Sequence, residues 1–368
     1  MLALVSSWLV TAALAAPQDA FGRGGAEVPL EPAVRAAVLE KAIATLHEAY
    51  VFPEVAAAIE KKLRERASRG EYNAVTGSRA FAAALTEHLQ EVSRDKHMRV
   101  FFEAEPIPDR PPVAPPTPED READRAYASI FNYGFARVER LSGNLGYLAP
   151  GQFFEPELMA ETAAAAMTFV ASTDALIVDL RDCGGGSPEG VVHLASYFFD
   201  ASPPVHLNDI YDRVEGKTTE YWSEKSLAGK RYVGKPVFVL TRSTTFSGAE
   251  EFAYDLQAPK RATVVGETTG GGANPGDTRK IGEHFALFVS TGRSINPITK
   301  TNWEGTGVTP DVEVAAKHAL DVAQLLALRE LLPKTTNGMV RGARTEFAGE
   351  LEAKLKRAGV TIPAPPTR

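Results

Sequence analysis

The sequence predicts an α/β protein with a small helical domain at its N-terminal end. Apolar residues recur only at helical spacing between residues 29 and 90, whereas short apolar runs alternate with helical stretches after residue 125. With 368 residues, 44% of them hydrophobic, the chain is long enough for two or three domains with cores of their own. Short, fully apolar strands separated by helices indicate a sheet that is covered on at least one face.

The first residues are typical of a secretory signal peptide, predicted at residues 1–15. No charged residue precedes Asp19, and Ala13-Leu14-Ala15 provides the small residues that flank a cleavage site. A membrane anchor is the alternative, but a spanning helix needs about 20 apolar residues, and this stretch is shorter and contains Ser and Thr. We therefore expect an exported protein, periplasmic or extracellular, without a stable membrane anchor.

The helical domain is predicted at residues 28–103. Val38, Ala42 and Leu46 lie four residues apart, and similar patterns follow twice, so we expect three or four helices and then a short strand at Val100–Phe102. Residues 104–125 contain seven prolines and are expected to form an extended linker or cap without a regular element.

The remaining chain divides into an α/β domain at residues 126–332 and a C-terminal helix and tail at residues 333–368. Buried strands end in loops, and each loop leads into a helix. The strands are expected at Leu145–Leu148, Ala175–Leu180, Pro236–Leu240 and Ala262–Val265, and the helices at Pro156–Ser172, Pro188–Phe199 and Phe246–Gln257.

Composition argues against several classes of partner and cofactor. A formal net charge of −7 disfavours a broad basic surface for nucleic acid. The single cysteine, Cys183, cannot form an internal disulfide or half of a thiolate metal site. Because no HExxH, CxxC or clustered carboxylate pattern occurs, we expect neither a metal nor another cofactor.

Two glycine-containing junctions between strand and helix are candidates for chemistry. Gly184–Gly186 follow a buried strand, and such a turn can be an oxyanion hole, a turn without a ligand or a phosphate loop. The phosphate loop is disfavoured because the motifs GxGxxG and GxxxxGK[ST] are both absent. Ser247 is expected in the first turn of a helix, as a cap or as a nucleophile with small neighbours. A nucleophilic serine needs a base, and among seven histidines His97 lies at a junction between helix and strand, where functional residues concentrate.

Five segments together resemble the C-terminal-processing and tricorn-core family of serine peptidases, most closely its interphotoreceptor retinoid-binding-protein-like branch. They are DKHMRV, DLRDCGGG, TTFSGAEEFAYDLQ, VVGETTGGGANPG and NWEGTGVTPDVEV, in that order. The resemblance implies a ClpP/crotonase-like ββα superhelix preceded by a helical domain, and no segment resembles a PDZ domain.

The resemblance also implies roles for particular residues. Ser247 matches the family nucleophile, His97 the base of the tricorn-like branch, and Glu304 its partner, while Asp95 is an alternative partner. The lysine base of bacterial processing peptidases is replaced by Gly272, which leaves Lys280 as a remote alternative. The amides of Gly248 and of Gly185 or Gly186 are implied as the oxyanion hole.

We therefore expect a serine-type endopeptidase, a hydrolase that acts on peptides or partly unfolded proteins without a cofactor. The alternative is a non-catalytic module that binds retinoids or fatty acids on the same fold, as the branch's namesake does. Survival of nucleophile and base in this sequence favours the enzyme. A homo-oligomer is left open.

Overall fold

The computed structural model describes residues 28–109 and 117–361, in two compact units. The predicted signal peptide and part of the proline-rich segment lie outside the described residues. Of the described chain, one unit (unit 1) takes the residues before Arg125 together with Asp209–Thr219 and Gly272–Ile295. The other (unit 2) takes Arg125–Asn208, Glu220–Gly271 and the residues from Asn296 onward.

The helices and strands are numbered in chain order. The α-helices are α1 Pro32–Ala49, α2 Pro53–Ser68, α3 Ser78–Ser93, α4 Pro118–Ile130, α5 Pro156–Val170, α6 Pro188–Ser196, α7 Gly248–Gln257, α8 Ala316–Leu331 and α9 Gly338–Arg357. The strands are β1 Arg99–Phe102, β2 Phe135–Leu141, β3 Leu145–Pro150, β4 Ala175–Asp179, β5 His206–Asp212, β6 Lys217–Trp222, β7 Val237–Thr241, β8 Thr263–Gly266, β9 Gly276–Lys280, β10 Phe285–Ser290, β11 Gly292–Ile295 and β12 Val312–Glu313.

Unit 1 combines the three predicted N-terminal helices with short antiparallel strands. α1 and α2 each begin at a proline, which has the backbone angle of a first helical turn and no N–H to leave unpaired. Their apolar stripes meet in a core that includes Leu46, Ile59 and Phe81. β1 pairs with β10 and β10 with β9, so part of this core comes from residues far along the chain.

Unit 2 is built on a six-stranded sheet with the order β12-β8-β7-β4-β3-β2. All neighbours pair in parallel except β2 and β3, which are antiparallel. β4 and β7 are buried along their whole length, as expected for parallel strands with helices on both faces. Alternate residues such as Ile177 and Leu240 share a core with α8 and α9. The α/β class and the helical N-terminal region are therefore confirmed.

The structure differs from the prediction in the proline-rich segment and in the extent of the α/β domain. The proline-rich segment expected to lack regular structure contains the start of α4, where Pro118 occupies the first turn. Thr117 and Asp120 form reciprocal capping hydrogen bonds there. Asp120 Oδ2 accepts from Thr117 N at 2.9 Å, and Asp120 N donates to Thr117 Oγ1 at 3.2 Å. Residues 272–295, expected within the domain at 126–332, join unit 1 because β10 pairs with β1.

Within the described ranges, no helix is both long and apolar enough to cross a membrane.

Candidate active site

Ser247 lies at the sharp turn between β7 and α7, in unit 2. It is the residue before the helix rather than part of its first turn, and its backbone angles are φ +55° and ψ −126°. A non-glycine residue reaches these angles only at an energetic cost, typically about 1–3 kcal/mol, and such strain is concentrated at functional sites. A strained serine between strand and helix is the geometry that exposes a nucleophilic hydroxyl at the end of a sheet.

The Glu250 carboxylate holds this turn in place. Glu250 is fully buried in the first turn of α7, where Oε2 accepts from Ser247 N at 2.9 Å. Oε1 accepts from Thr269 Oγ1 at 2.5 Å and from Gly271 N at 2.6 Å. An acidic residue in the first turn of a helix ordinarily indicates an interaction with the helix dipole. The donors Thr269 and Gly271 could not be read from the local sequence, because they lie about twenty residues downstream.

The glycine turn after β4 packs directly against the serine turn. A Cβ on Gly185 (φ +111°) would lie 2.7 Å from Gly248 N and 2.9 Å from Ser247 Cβ, and a Cβ on Gly248 would lie 3.0 Å from Gly186 N. Real Cβ atoms essentially never approach as closely as a Cβ on Gly185 would, and a Cβ on Gly248 would be tighter than most real contacts. The contact between the two backbones therefore requires glycine at position 185 and favours it at position 248. The structure thus brings together Ser247, Gly185, Gly186 and Gly248.

Phe153 fixes the glycine turn from its other side. Phe153 N donates to Gly185 O at 3.0 Å, and Ser187 N donates to Phe153 O at 2.9 Å. The neighbouring Cys183 is buried, and burial raises the pKa of its thiol to about 12, although a backbone hydrogen bond from Gly185 opposes the rise. A protonated thiol is a poor nucleophile, so Cys183 is a small core residue rather than a candidate nucleophile.

Glu304 lies in a turn that is linked by hydrogen bonds to the same segment as Glu250. Gly305 N donates to Gly271 O at 3.0 Å, and Val308 N donates to Thr269 Oγ1 at 2.7 Å. Glu304 N itself donates to Asn302 Oδ1 at 2.9 Å, which tightens the turn. The Thr269–Gly271 segment is therefore bonded on one side to the Glu304 turn and on the other to Glu250.

His97 lies in unit 1, in the turn between α3 and β1. Its backbone N–H donates to Asp95 Oδ1 at 2.9 Å, and its Nδ1 lies 3.9 Å from the same oxygen. The imidazole side chain is 8% exposed and packs against the Phe288 ring. Burial is the largest effect and lowers the pKa of His97 below its ordinary value of 6.5, while Asp95 raises it and Arg99 lowers it further. The ring is therefore neutral at neutral pH.

The alternative base Lys280 is engaged elsewhere in unit 1. Its Nζ forms an ion pair with Asp109 Oδ1 at 2.8 Å on the exposed side of β9. Across residues 28–109 and 117–361, no group of three or more His, Cys, Asp or Glu side chains is placed to hold a metal ion.

Comparisons with known proteins agree on one family. Residues 144–314 match peptidase family S41, and residues 29–131 match the N-terminal domain of S41 peptidases in eukaryotic IRBP. The chain is 32% identical over 147 residues to carboxyl-terminal-processing peptidase 2, chloroplastic, of Arabidopsis thaliana, covering 38% of this chain and 26% of that protein. It is 28% identical over 185 residues to the carboxy-terminal-processing protease of Bartonella bacilliformis, covering 48% and 40%.

The matches thus span less than half the length of these curated relatives. Among solved structures, the photosystem II D1 C-terminal processing protease has a similar fold, with a TM-score of 0.50 at 17% identity over 86% of this chain and 99% of that one. The two family matches follow one another along the chain and include the Ser247 turn, the glycine turn and the Glu304 turn. The chain belongs to peptidase family S41 and carries the N-terminal domain that S41 peptidases have in eukaryotic IRBP.

Proposed function

We propose that this protein is a serine endopeptidase that cleaves peptides or partly unfolded proteins, with Ser247 as its nucleophile. The observation that carries the proposal is the strained Ser247 turn packed against the glycine turn, in a chain of a peptidase family. The strain exposes the hydroxyl, and the two turns supply backbone amides next to it. Both features are required for acyl transfer.

The amides of Gly186 and Gly248 are proposed to bind the oxyanion of the tetrahedral intermediate. Ser247 Oγ attacks the scissile carbonyl carbon, and the carbonyl oxygen becomes an anion that needs donors already in place. Gly186 is chosen from the glycine turn because its N lies 3.0 Å from the position that a Cβ on Gly248 would take, and the amide of Gly185 is the alternative donor. Each oxyanion donor typically contributes about 3 kcal/mol of transition-state stabilisation.

His97 is proposed as the general base, and Glu304 as the residue that orients it. A neutral imidazole accepts the Ser247 proton as the hydroxyl attacks and then returns it to the leaving amine. The lowered pKa supports this role, because the ring is then deprotonated at neutral pH. Asp95 remains the alternative orienting carboxylate, since its Oδ1 lies 3.9 Å from His97 Nδ1.

We also propose export from the cytoplasm, on the signal peptide predicted at residues 1–15. N-terminal sequencing of the exported protein should find a mature chain that begins near Ala16. A soluble cytoplasmic pool that retains Met1 would contradict this.

Labelling with a fluorophosphonate probe tests the proposed nucleophile. The wild-type protein should form a covalent adduct on Ser247, and Ser247→Ala should not react. Ser243→Ala is the matched control, because Ser243 is an exposed serine of the same junction and should leave labelling unchanged. Absence of labelling in the folded wild-type protein would contradict the peptidase proposal and favour the non-catalytic binding module.

Turnover of an unfolded protein substrate tests the base. His97→Ala should abolish turnover to the same degree as Ser247→Ala, since members of a catalytic triad act as a unit. Glu304→Gln should cost less than either, and Lys280→Ala should have little effect. A folded Lys280→Ala variant without activity would transfer the role of base to the lysine.

A further inference from the structure

The outer strand of the unit 2 sheet carries an unusual arrangement of charge. β2 is at the edge of the six-stranded sheet, and no strand in the described part of the chain pairs with its outer side. An open edge strand presents unpaired backbone N–H and C=O groups that can pair with another chain. Arg137 and Glu139 lie on this strand with side chains that are 58% and 39% exposed.

The charges of β2 are complementary to themselves. Residues i and i+2 of a strand point to the same face, so Arg137 and Glu139 are neighbours on one side of the sheet, where they form an ion pair. In an antiparallel pair of two β2 strands related by a twofold axis at Val138, Arg137 of each copy is opposite Glu139 of the other. Opposite charges in such cross-strand positions stabilise the pairing, and the same contact is made twice.

Apolar surface lies beside this edge. Val138 and the α5 residues Ala165 and Phe169 line a groove of about 320 Å³, and Arg137 also borders it. Phe169 is 59% exposed, and Ile130, just before β2, is 77% exposed. Exposed apolar residues rimmed by charge are typical of interaction surfaces. Antiparallel pairing of two β2 strands would bring two α5 helices to the same face, where each copy covers apolar surface of the other.

We infer that the protein forms a twofold homodimer through antiparallel pairing of β2 with β2 of a second copy, centred on Val138. The two sheets then continue into one sheet of twelve strands. A second copy is favoured over another partner because the charge pattern of β2 matches an inverted copy of itself.

Sedimentation equilibrium of the full chain and of two charge-reversal variants tests this arrangement. Wild type should have a mass of about 79 kDa, twice 39.6 kDa. Arg137→Glu places Glu opposite Glu139 twice, and Glu139→Arg places Arg opposite Arg137 twice. Each variant alone should dissociate, with a dissociation constant raised at least about tenfold.

An equimolar mixture of the two single variants is the decisive sample. In the mixed dimer every position regains an opposite charge, so dimers should form again with near wild-type affinity. Arg140→Glu is the matched control, because residue 140 is opposite the uncharged Ala136 and should leave the dimer unchanged. A monomeric wild-type protein, single variants that dimerise like wild type, or a mixture that stays monomeric would each overturn the inference. Circular dichroism establishes that the variants fold.

Discussion

The buried carboxyl of Glu251 should make the stability of the protein fall as pH rises. Glu251 follows Glu250 on α7, is 4% exposed and receives a hydrogen bond from Asn208 Nδ2 at 3.0 Å. Burial raises its pKa from 4.5 to about 8, the Asn208 hydrogen bond lowers it, and the negative charge of Glu189 raises it. Between pH 4.5 and about 8 the folded state therefore keeps a proton that the unfolded state has already released, and the free energy of unfolding falls over that window.

The size of the effect follows from the two pKa values. Each pH unit across this window lowers the free energy of unfolding by about 1.4 kcal/mol, so the full decrease approaches about 5 kcal/mol. This is a large part of a typical free energy of unfolding of about 5–15 kcal/mol. Glu251→Gln keeps the side-chain shape and the oxygen that accepts from Asn208, but it cannot ionise. The variant should match wild type at pH 5 and be more stable by several kcal/mol at pH 8.

Urea unfolding followed by tryptophan fluorescence at pH 5, 6, 7 and 8 measures the difference. Asp255, one turn further on and also buried, has its pKa raised by burial and by the charge of Glu251, so the substitution should also ease its ionisation. Glu350→Gln, on an exposed part of α9, is the matched control and should follow wild type at every pH. A difference between Glu251→Gln and wild type that is the same from pH 5 to pH 8 would refute the reasoning.

Three further predictions concern the proposed catalytic centre. The midpoint of the acid limb of kcat/KM against pH should lie below 6.5, because burial lowers the pKa of His97, and Asp95→Asn should lower this midpoint further. A midpoint above 7 would contradict a buried neutral base. Gly185→Ala should reduce kcat by at least about a hundredfold because its Cβ meets Gly248 N, whereas Gly151→Ala, whose Cβ meets nothing within 4 Å, should leave kcat unchanged. Equal kcat values for the two variants would show that the glycine turn is not part of the oxyanion site. Glu250→Gln should lower the unfolding free energy by about 1–3 kcal/mol and also reduce kcat, because the new amide group would face one of three buried donors. Unchanged urea unfolding and unchanged kcat would exclude an anchoring role for Glu250.

The sequence predicted the elements whose patterns are local. Buried strands such as Ala175–Leu180 and helices such as Pro156–Ser172 have the period of their own structure, and each is found within a few residues of its expected ends. The sequence also places Ser247, Gly185, Gly186 and Gly248 at the ends of such elements, and their proposed roles stay predictions. The strands β9 and β11 carry a weaker, polar pattern, whereas β10 is a buried apolar run. The pairing of β10 with β1 and of β11 with β5 depends on partners far along the chain.

The parts that sequence did not predict depend on contacts between distant segments. Glu250 anchors the Ser247 turn through Thr269 and Gly271, and nothing in the local pattern of α7 indicates these partners. The positive φ of Ser247 is likewise invisible in the sequence, because serine is a common helix cap with ordinary backbone angles. Tertiary hydrogen bonds set both features.

Lysine and histidine differ in how far their pKa must be lowered before either can act as a base at neutral pH. A lysine base must lose its proton near neutral pH although its ordinary pKa is about 10.4, which requires deep burial away from carboxylates. Lys280 instead forms an ion pair with Asp109. A histidine needs no such change, since its ordinary pKa is about 6.5 and the burial of His97 moves it further toward the neutral, accepting form. Burial therefore favours His97 as the base, and an enzyme that uses His97 should keep its activity into mildly acidic solution.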